Sequence, residues 1–194
     1  MNKLTRKDLY TLETYAQKRD QMRVEVMEHK RHRRLSIGPS VNLYFEDRLT
    51  MHYQVQEMLR AERIFEATAI QEELEAYNPL IPDGSNWKAT MMIEIPDPQE
   101  RATQLERLVG IEDLCYLQVT GCEPVYAKAD EDLERSTPEK TSSVHFLRFE
   151  LEPAMIERLR SGAGIAAGVA HELYSHQVDK VPEQLRASLL QDLS

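Results

Sequence analysis

The chain has 194 residues and a mass of 22.5 kDa; 41% of its residues are hydrophobic and its formal net charge is −9. That apolar share excludes intrinsic disorder. Seven Gly and nine Pro, about 8% against a usual ~12%, exclude low-complexity sequence and an all-β fold crowded with turns.

Taken in chain order, residues Thr5 to Lys30 carry helical periodicity, with Thr5 as N-cap and Asp8 at the capping-box position. RLSIGPSVNLYFED then alternates apolar and polar residues around Gly38-Pro39, the pattern of a β-hairpin. A second helical region runs from Asp47 to Tyr77 with a break near Thr68, and Asn78-Pro79 stops it. Trp87 to Ile95 reads as a strand with Ala89, Met91, Ile93 and Ile95 on one face. Pro98 to Val109 reads as a helix closed by Gly110. Leu114–Thr120 and Pro124–Ala129 read as a hairpin turning at Gly121. Ser143 to Leu151 is a strand, AMIERLR a short helix ending at Gly162, and Gly164 to Ala170 a further strand. The last element is a helix with Pro182 in its first turn. Helices first and antiparallel strands afterwards predict an α+β fold: a long N-terminal helical pair, then one antiparallel sheet of four or five strands with flanking helices. No Gly/Ser/Pro-rich linker divides the helical half (1–80) from the sheet-rich half (81–194), so one domain over 1–194 is expected.

No apolar run reaches the ~20 residues of a membrane-spanning helix, and no apolar stretch follows the polar start MNKLTRKD. Cys115 and Cys122 make no disulfide framework. A soluble, cytoplasmic protein without a membrane partner is expected.

Charge is segregated. Residues 1–34 hold ten Lys/Arg and five Asp/Glu, net +5, leaving net −14 for the rest. The run HKRHRR (His29 to Arg34) could hold phosphates. Without interleaved aromatics it reads as a solvated helix end, so nucleic acid is not expected as a partner.

Two clusters could carry chemistry. Arg19 and Arg23 fall in the apolar stripe of the first helix. Glu62 and Glu66 fall in that of the second, with Arg48 and His52 on the same side. Opposed i, i+4 pairs of arginine and glutamate would neutralise each other if the helices pack side by side. This is either a buried ion-pair lattice that sets helix register or a charged pocket for an anion or a metal. The second cluster is Asp130, Glu134, Arg135, Lys140, His145 and Arg148, around a loop that enters a strand; it is either a site or an exposed loop. The motifs of known metal sites fail. No His has a Glu three residues before it, as di-iron bundles need. HELYS from His171 has Ser175 where a zincin needs its second His. ADEDLE lacks the Gly and closing Glu of a calcium loop. No G-x-S-x-G elbow accompanies Ser143 and His145, so His145 reads as a satisfied core histidine. GAGIAAG follows a helix rather than a strand and is no dinucleotide loop. The residues name no cofactor and decide neither for nor against an enzyme.

FEDRLTMHYQVQEMLRAERIFE, YNPLIPDGSNWKATMMIE and ADEDLER…KTSSVHFLRFEL resemble the signature stretches of a bacterial family known as a domain of unknown function. YAQKRDQMRVEVMEHKRHRR is similar to its N-terminal pattern, which includes Arg19, Arg23, His29, Arg33 and Arg34. The resemblance spans nearly the whole chain and implies no activity. Members are commonly encoded beside a rubrerythrin-like protein and an iron–sulfur oxidoreductase-type subunit. It therefore implies a non-catalytic accessory protein that docks such a partner in a redox or oxidative-stress pathway. Arg31, Arg33 and Arg34 would guide that docking, with a homodimer as the competing use of the same charges. The alternative is an enzyme or sensor with a charged pocket between the two long helices.

Overall fold

The structure, a computed structural model, describes residues 2–194. The fold is α+β. Its helices are α1 (Leu12–Arg31), α2 (Arg48–Ala61), α3 (Ala67–Tyr77), α4 (Pro98–Arg107), α5 (Pro153–Arg160) and α6 (Glu183–Leu190). The strands are β1 (Arg34–Ile37), β2 (Val41–Glu46), β3 (Asn86–Ile93), β4 (Cys115–Val119), β5 (Val125–Tyr126), β6 (Lys128–Ala129), β7 (Val144–Glu150), β8 (Ile165–His171) and β9 (Tyr174–Val178). They form two antiparallel sheets rather than one, in the orders β1-β2-β3-β7-β6 and β5-β4-β8-β9. The extra strand, β9, has buried Tyr174 and then exposed Ser175, His176 and Gln177, so it lacks the half-apolar alternation that marks a strand in sequence. Tyr174 nonetheless ties the sheets together. Its hydroxyl donates to Ile37 O at 2.7 Å and accepts from the backbone N–H of Ser40 and Val41. That contact closes over Gly38, which turns the β1–β2 hairpin with φ +69 and where a Cβ would stand 2.6 Å from the His176 ring.

Strand alternation divides the five-stranded sheet into two chemically different faces. Leu43, Phe45, Trp87, Ala89, Met91, Leu147 and Phe149 enter the main core. They pack there with Leu117, Val119, Ile165 and Val169 of the other sheet and with Leu159, Leu185 and Leu189 of α5 and α6. The opposite face carries Tyr44, Glu46, Lys88, Thr90, Met92, Val144, Phe146 and Arg148, which the register sets side by side (Tyr44↔Thr90↔Phe146; Glu46↔Lys88↔Arg148). α1, α2, α3 and the turn after them keep separate, smaller cores: Met51, Val55, Leu59, Leu74 and Ile81 in one, Tyr15, Met22, Val26 and Tyr53 in the other.

Helix boundaries depart from the sequence reading at two breaks. Thr5 and Asp8 do form a capping box, but around a single 3-10 turn, Arg6–Asp8; Thr11 caps α1 by accepting from Thr14 N–H at 3.2 Å. The break between α2 and α3 lies at 62–66 and not near Thr68. Arg63 adopts φ +56, the left-handed conformation that usually calls for Gly. Ile64 N–H then reaches Leu59 O at 2.8 Å and Arg63 N–H reaches Arg60 O. This is a Schellman stop, held by Ile64 packing on the helical core instead of by a glycine. At the C-terminal end, Pro182 stands just before α6 rather than inside it.

Candidate functional site

The expected lattice of Arg19, Arg23, Glu62 and Glu66 does not form. Glu62 is the residue after α2 and Glu66 the residue before α3, so their spacing spans a loop and not a helix face. Both are exposed, as is Arg23. Arg19 pairs instead with Glu57: Nε reaches Oε1 at 2.7 Å and Nη2 reaches Oε2 at 2.8 Å, while Tyr15 OH donates to the same Oε1 at 2.6 Å. The arginine holds Glu57 below the usual carboxylate range, and burial against Glu57 pushes the Tyr15 phenol up. Glu57 stands one turn after Tyr53, and helical spacing from that aromatic was the only sequence signal for it. Arg48 is separate from this group and pairs with Asp8 at 2.5 Å. His52 is half-buried between them with Nε2 unpartnered among the described residues. Burial, then Arg48, holds its pKa down.

The second cluster is split by the sheet. Odd-numbered His145 faces the core and is fully buried. Its Nδ1 meets Asp130 Oδ2 at 2.6 Å; its Nε2 lies 2.9 Å from Thr141 Oγ1, 3.0 Å from Ser142 O and 3.8 Å from Glu112 Oε2. Asp130 accepts in addition from Arg135 and from Phe146 N–H, while Glu112 accepts from Ser136 and Thr141. Glu112, Asp130 and His145 could each offer a metal one atom, yet every one already has hydrogen-bonding neighbours. The arrangement is a satisfied polar brace between the loop and β7. Arg148, an even-numbered position, faces the other side, where Glu131 and Glu150 bind it. Glu134 and Lys140 are exposed and make no ion pair among the described residues. Glu112, 18 residues before Asp130 and outside the charged loop, gave no signal in the sequence.

A third constellation joins the N-terminal basic run to the end of the chain. Arg33 was expected to be a solvated cation and is 2% exposed. Its guanidinium donates to Phe45 O, Glu46 O, Ser188 Oγ and, at 2.5 Å, Asp192 Oδ2. Asp47, which caps α2, lies 3.5 Å from Arg33 and 2.5 Å from His29 Nε2. Burial raises the Asp47 carboxyl, but Arg33, the Thr50 N–H and His29 outweigh it and the net shift is downward. Asp192 goes the other way: burial pushes it up to about 6 despite Arg33.

The polar face of the five-stranded sheet forms the floor of a groove of about 640 Å³, roofed by α1, α2 and the turn at Tyr77–Leu80. Met27, Met51, Met92, Leu80, Val144 and Phe146 supply apolar walls; Lys30, Arg31 and Arg34 line it as cations. Within it stands Glu46, 7% exposed, which accepts from Thr90 Oγ1 at 2.8 Å. Beside it, sharing Tyr77, Leu80 and Phe146, lies a smaller cavity of about 260 Å³ that contains Lys88, Arg135 and Arg148. Among the described residues, no helix is long and apolar enough to cross a membrane.

A solved crystal structure, described as a novel protein of unknown function from Burkholderia pseudomallei K96243, is 51% identical to this chain. The alignment covers 100% of both chains with a TM-score of 0.95. No curated protein matches the chain. The model of a family described as "Protein of unknown function (DUF3501)" matches residues 3–193. The chain belongs to the DUF3501 family.

Proposed function

We propose that the groove beneath α1 and α2 is the functional site and that it binds a small amphipathic acid, making the protein a ligand-binding sensor or enzyme. The observation that supports this is the union of apolar walls, three cations and one buried carboxylate in about 640 Å³. That volume lies within the range of small-molecule sites. Lys30, Arg31 and Arg34 suit a carboxylate or phosphate at the mouth. Three methionines adapt to an aryl or alkyl body, because thioethers are soft and rotationally free. Glu46 would accept from a donor at the deep end. Calorimetric titration with a panel of aryl and alkyl carboxylic acids and their neutral amides tests this reading. The acids should bind at least tenfold more tightly, and Arg34→Gln should remove most of that preference. Equal binding of acids and amides, or none by either, would end it.

A second reading takes the chain as a non-catalytic accessory in a redox or oxidative-stress pathway, docking a rubrerythrin-like or iron–sulfur partner. Its favouring observation is that the same three cations form a basic edge on an otherwise acidic chain, which suits charge-guided encounter. Pull-down from native extract at low salt separates the two readings. Recovery of such a partner, lost as salt rises, supports docking; a doubled mass in isolation points to a second copy of this chain.

A further inference from the structure

The smaller cavity is lined by an amine that makes no direct ion pair among the described residues. Lys88 lies mid-strand in β3, flanked across the sheet by Glu46 on β2 and Arg148 on β7. Each arginine of the cavity has carboxylate partners: Arg148 binds Glu131 and Glu150, and Arg135 binds Asp130 and Asp132. Glu46 is engaged by Thr90. Lys88 Nζ has no ion pair and no hydrogen bond among the described residues, and it is half-buried beside Tyr77, Leu80 and Phe146. A charged ammonium so placed loses water without gaining a direct ion pair, which favours the neutral, nucleophilic amine. We propose that Lys88 is a reactive amine that captures a small aldehyde or ketone in this cavity as an imine.

The chemistry balances within the two reactants. The Nζ lone pair attacks the carbonyl carbon, a C–N bond forms, and the carbonyl π electrons move to oxygen, which takes a proton from the nitrogen. The resulting carbinolamine expels that oxygen as water with the second nitrogen proton, leaving C=N. No oxidant or reductant takes part. The pKa of Lys88 is lowered, by burial first and then by Arg148; Lys3 adds to this, while Glu131 and Asp83 oppose it. Tyr77, the last residue of α3, lines the same cavity, and its pKa is raised by burial. The inference stands on this cavity alone and does not require an acid in the larger groove.

The full-length protein, treated with propanal and sodium cyanoborohydride at pH 7 and mapped by peptide mass spectrometry, provides the test. Lys88 should be alkylated at least fivefold faster than exposed Lys7 and Lys180, and its labelling should reach half-maximum at lower pH than theirs. Lys88→Arg should keep the circular dichroism of the wild type and lose this fast phase alone. Because the wild-type rates suffice, a variant that misfolds does not blunt the test. Labelling of Lys88 no faster than Lys180, or absent while Lys180 reacts, would overturn the proposal.

Discussion

Arg33 and Asp192 stand 159 residues apart in the chain and meet at 2.5 Å in a site where each side chain is at most 2% exposed. The pair fastens the segment after α6 to the α1–β1 junction, and through Asp47 to the cap of α2. Removing either partner leaves a charge in low dielectric. Arg33→Ala should therefore cost about 3–5 kcal/mol in urea unfolding. A cost under about 1 kcal/mol, the scale of a surface pair, would show that the site is wetter than its burial implies.

The same pair makes stability depend on pH. A carboxyl raised to about 6 binds its proton more tightly in the folded chain than in the unfolded one. Its contribution is fully present below the unfolded value near 3.8 and is lost as pH rises through 6. Asp192→Asn does not titrate, so it should gain on the wild type between pH 4 and pH 6.5, by about 2 kcal/mol. Asp47, with its pKa lowered, contributes in the opposite sense in both proteins, so the comparison reads Asp192 together with its coupling to Asp47. Thermal unfolding of both at the two pH values checks this; a constant difference would refute the assignment.

Arg19 and Glu57 are each about a quarter exposed, so their bidentate pair is partly screened. A double-mutant cycle with Arg19→Ala and Glu57→Gln should give a small coupling, on the scale of a screened surface pair and far below that of the buried Arg33–Asp192 pair. Arg23→Ala, Glu62→Ala and Glu66→Ala should each fall within about 0.5 kcal/mol of wild type. A loss of several kcal/mol at Glu62 or Glu66 would revive the lattice that the fold dissolves.

His145 is the hub between Asp130 and Glu112, and its ring nitrogens face a carboxylate, a carbonyl and a hydroxyl. His145→Ala strips a buried and a part-buried carboxylate of that hub and should destabilise by about 3–5 kcal/mol. Binding of the acid proposed for the larger groove should persist in whatever fraction stays folded, since His145 faces the opposite side of β7. Ligand titration of the variant under stabilising conditions reads this directly.

With Arg33 buried and His29 held by Asp47, the run HKRHRR offers Lys30, Arg31 and Arg34 to a polyanion. Binding to duplex DNA or RNA should then show a log–log salt slope no steeper than about −2.7, at about −0.9 per phosphate. No shift should occur at physiological salt. An electrophoretic mobility series across salt concentrations would expose a steeper slope.

Local pattern determined a good share of this protein. Alternation in VNLYFE, NWKATMMI and VHFLRFE marked three central strands and their buried faces, because a two-residue repeat is written wherever one face meets a core. Helix-before-strand order marked the α+β class, and the sequence holds no apolar run long enough to span a membrane as a helix. What tertiary structure decided was every long-range partner. Arg63 stops α2 in a conformation its side chain does not advertise, and that moves Glu62 and Glu66 off the helix face and leaves Glu57 to meet Arg19. Asp192 becomes the counter-ion of Arg33, and Glu112 joins the His145 brace, since such pairing depends on distance in space and leaves no periodic trace along the chain. The groove has the same origin. Its floor comes from even-numbered positions on strands ordered β2-β3-β7, and only the pairing of those strands sets Glu46, Lys88 and Arg148 in one row.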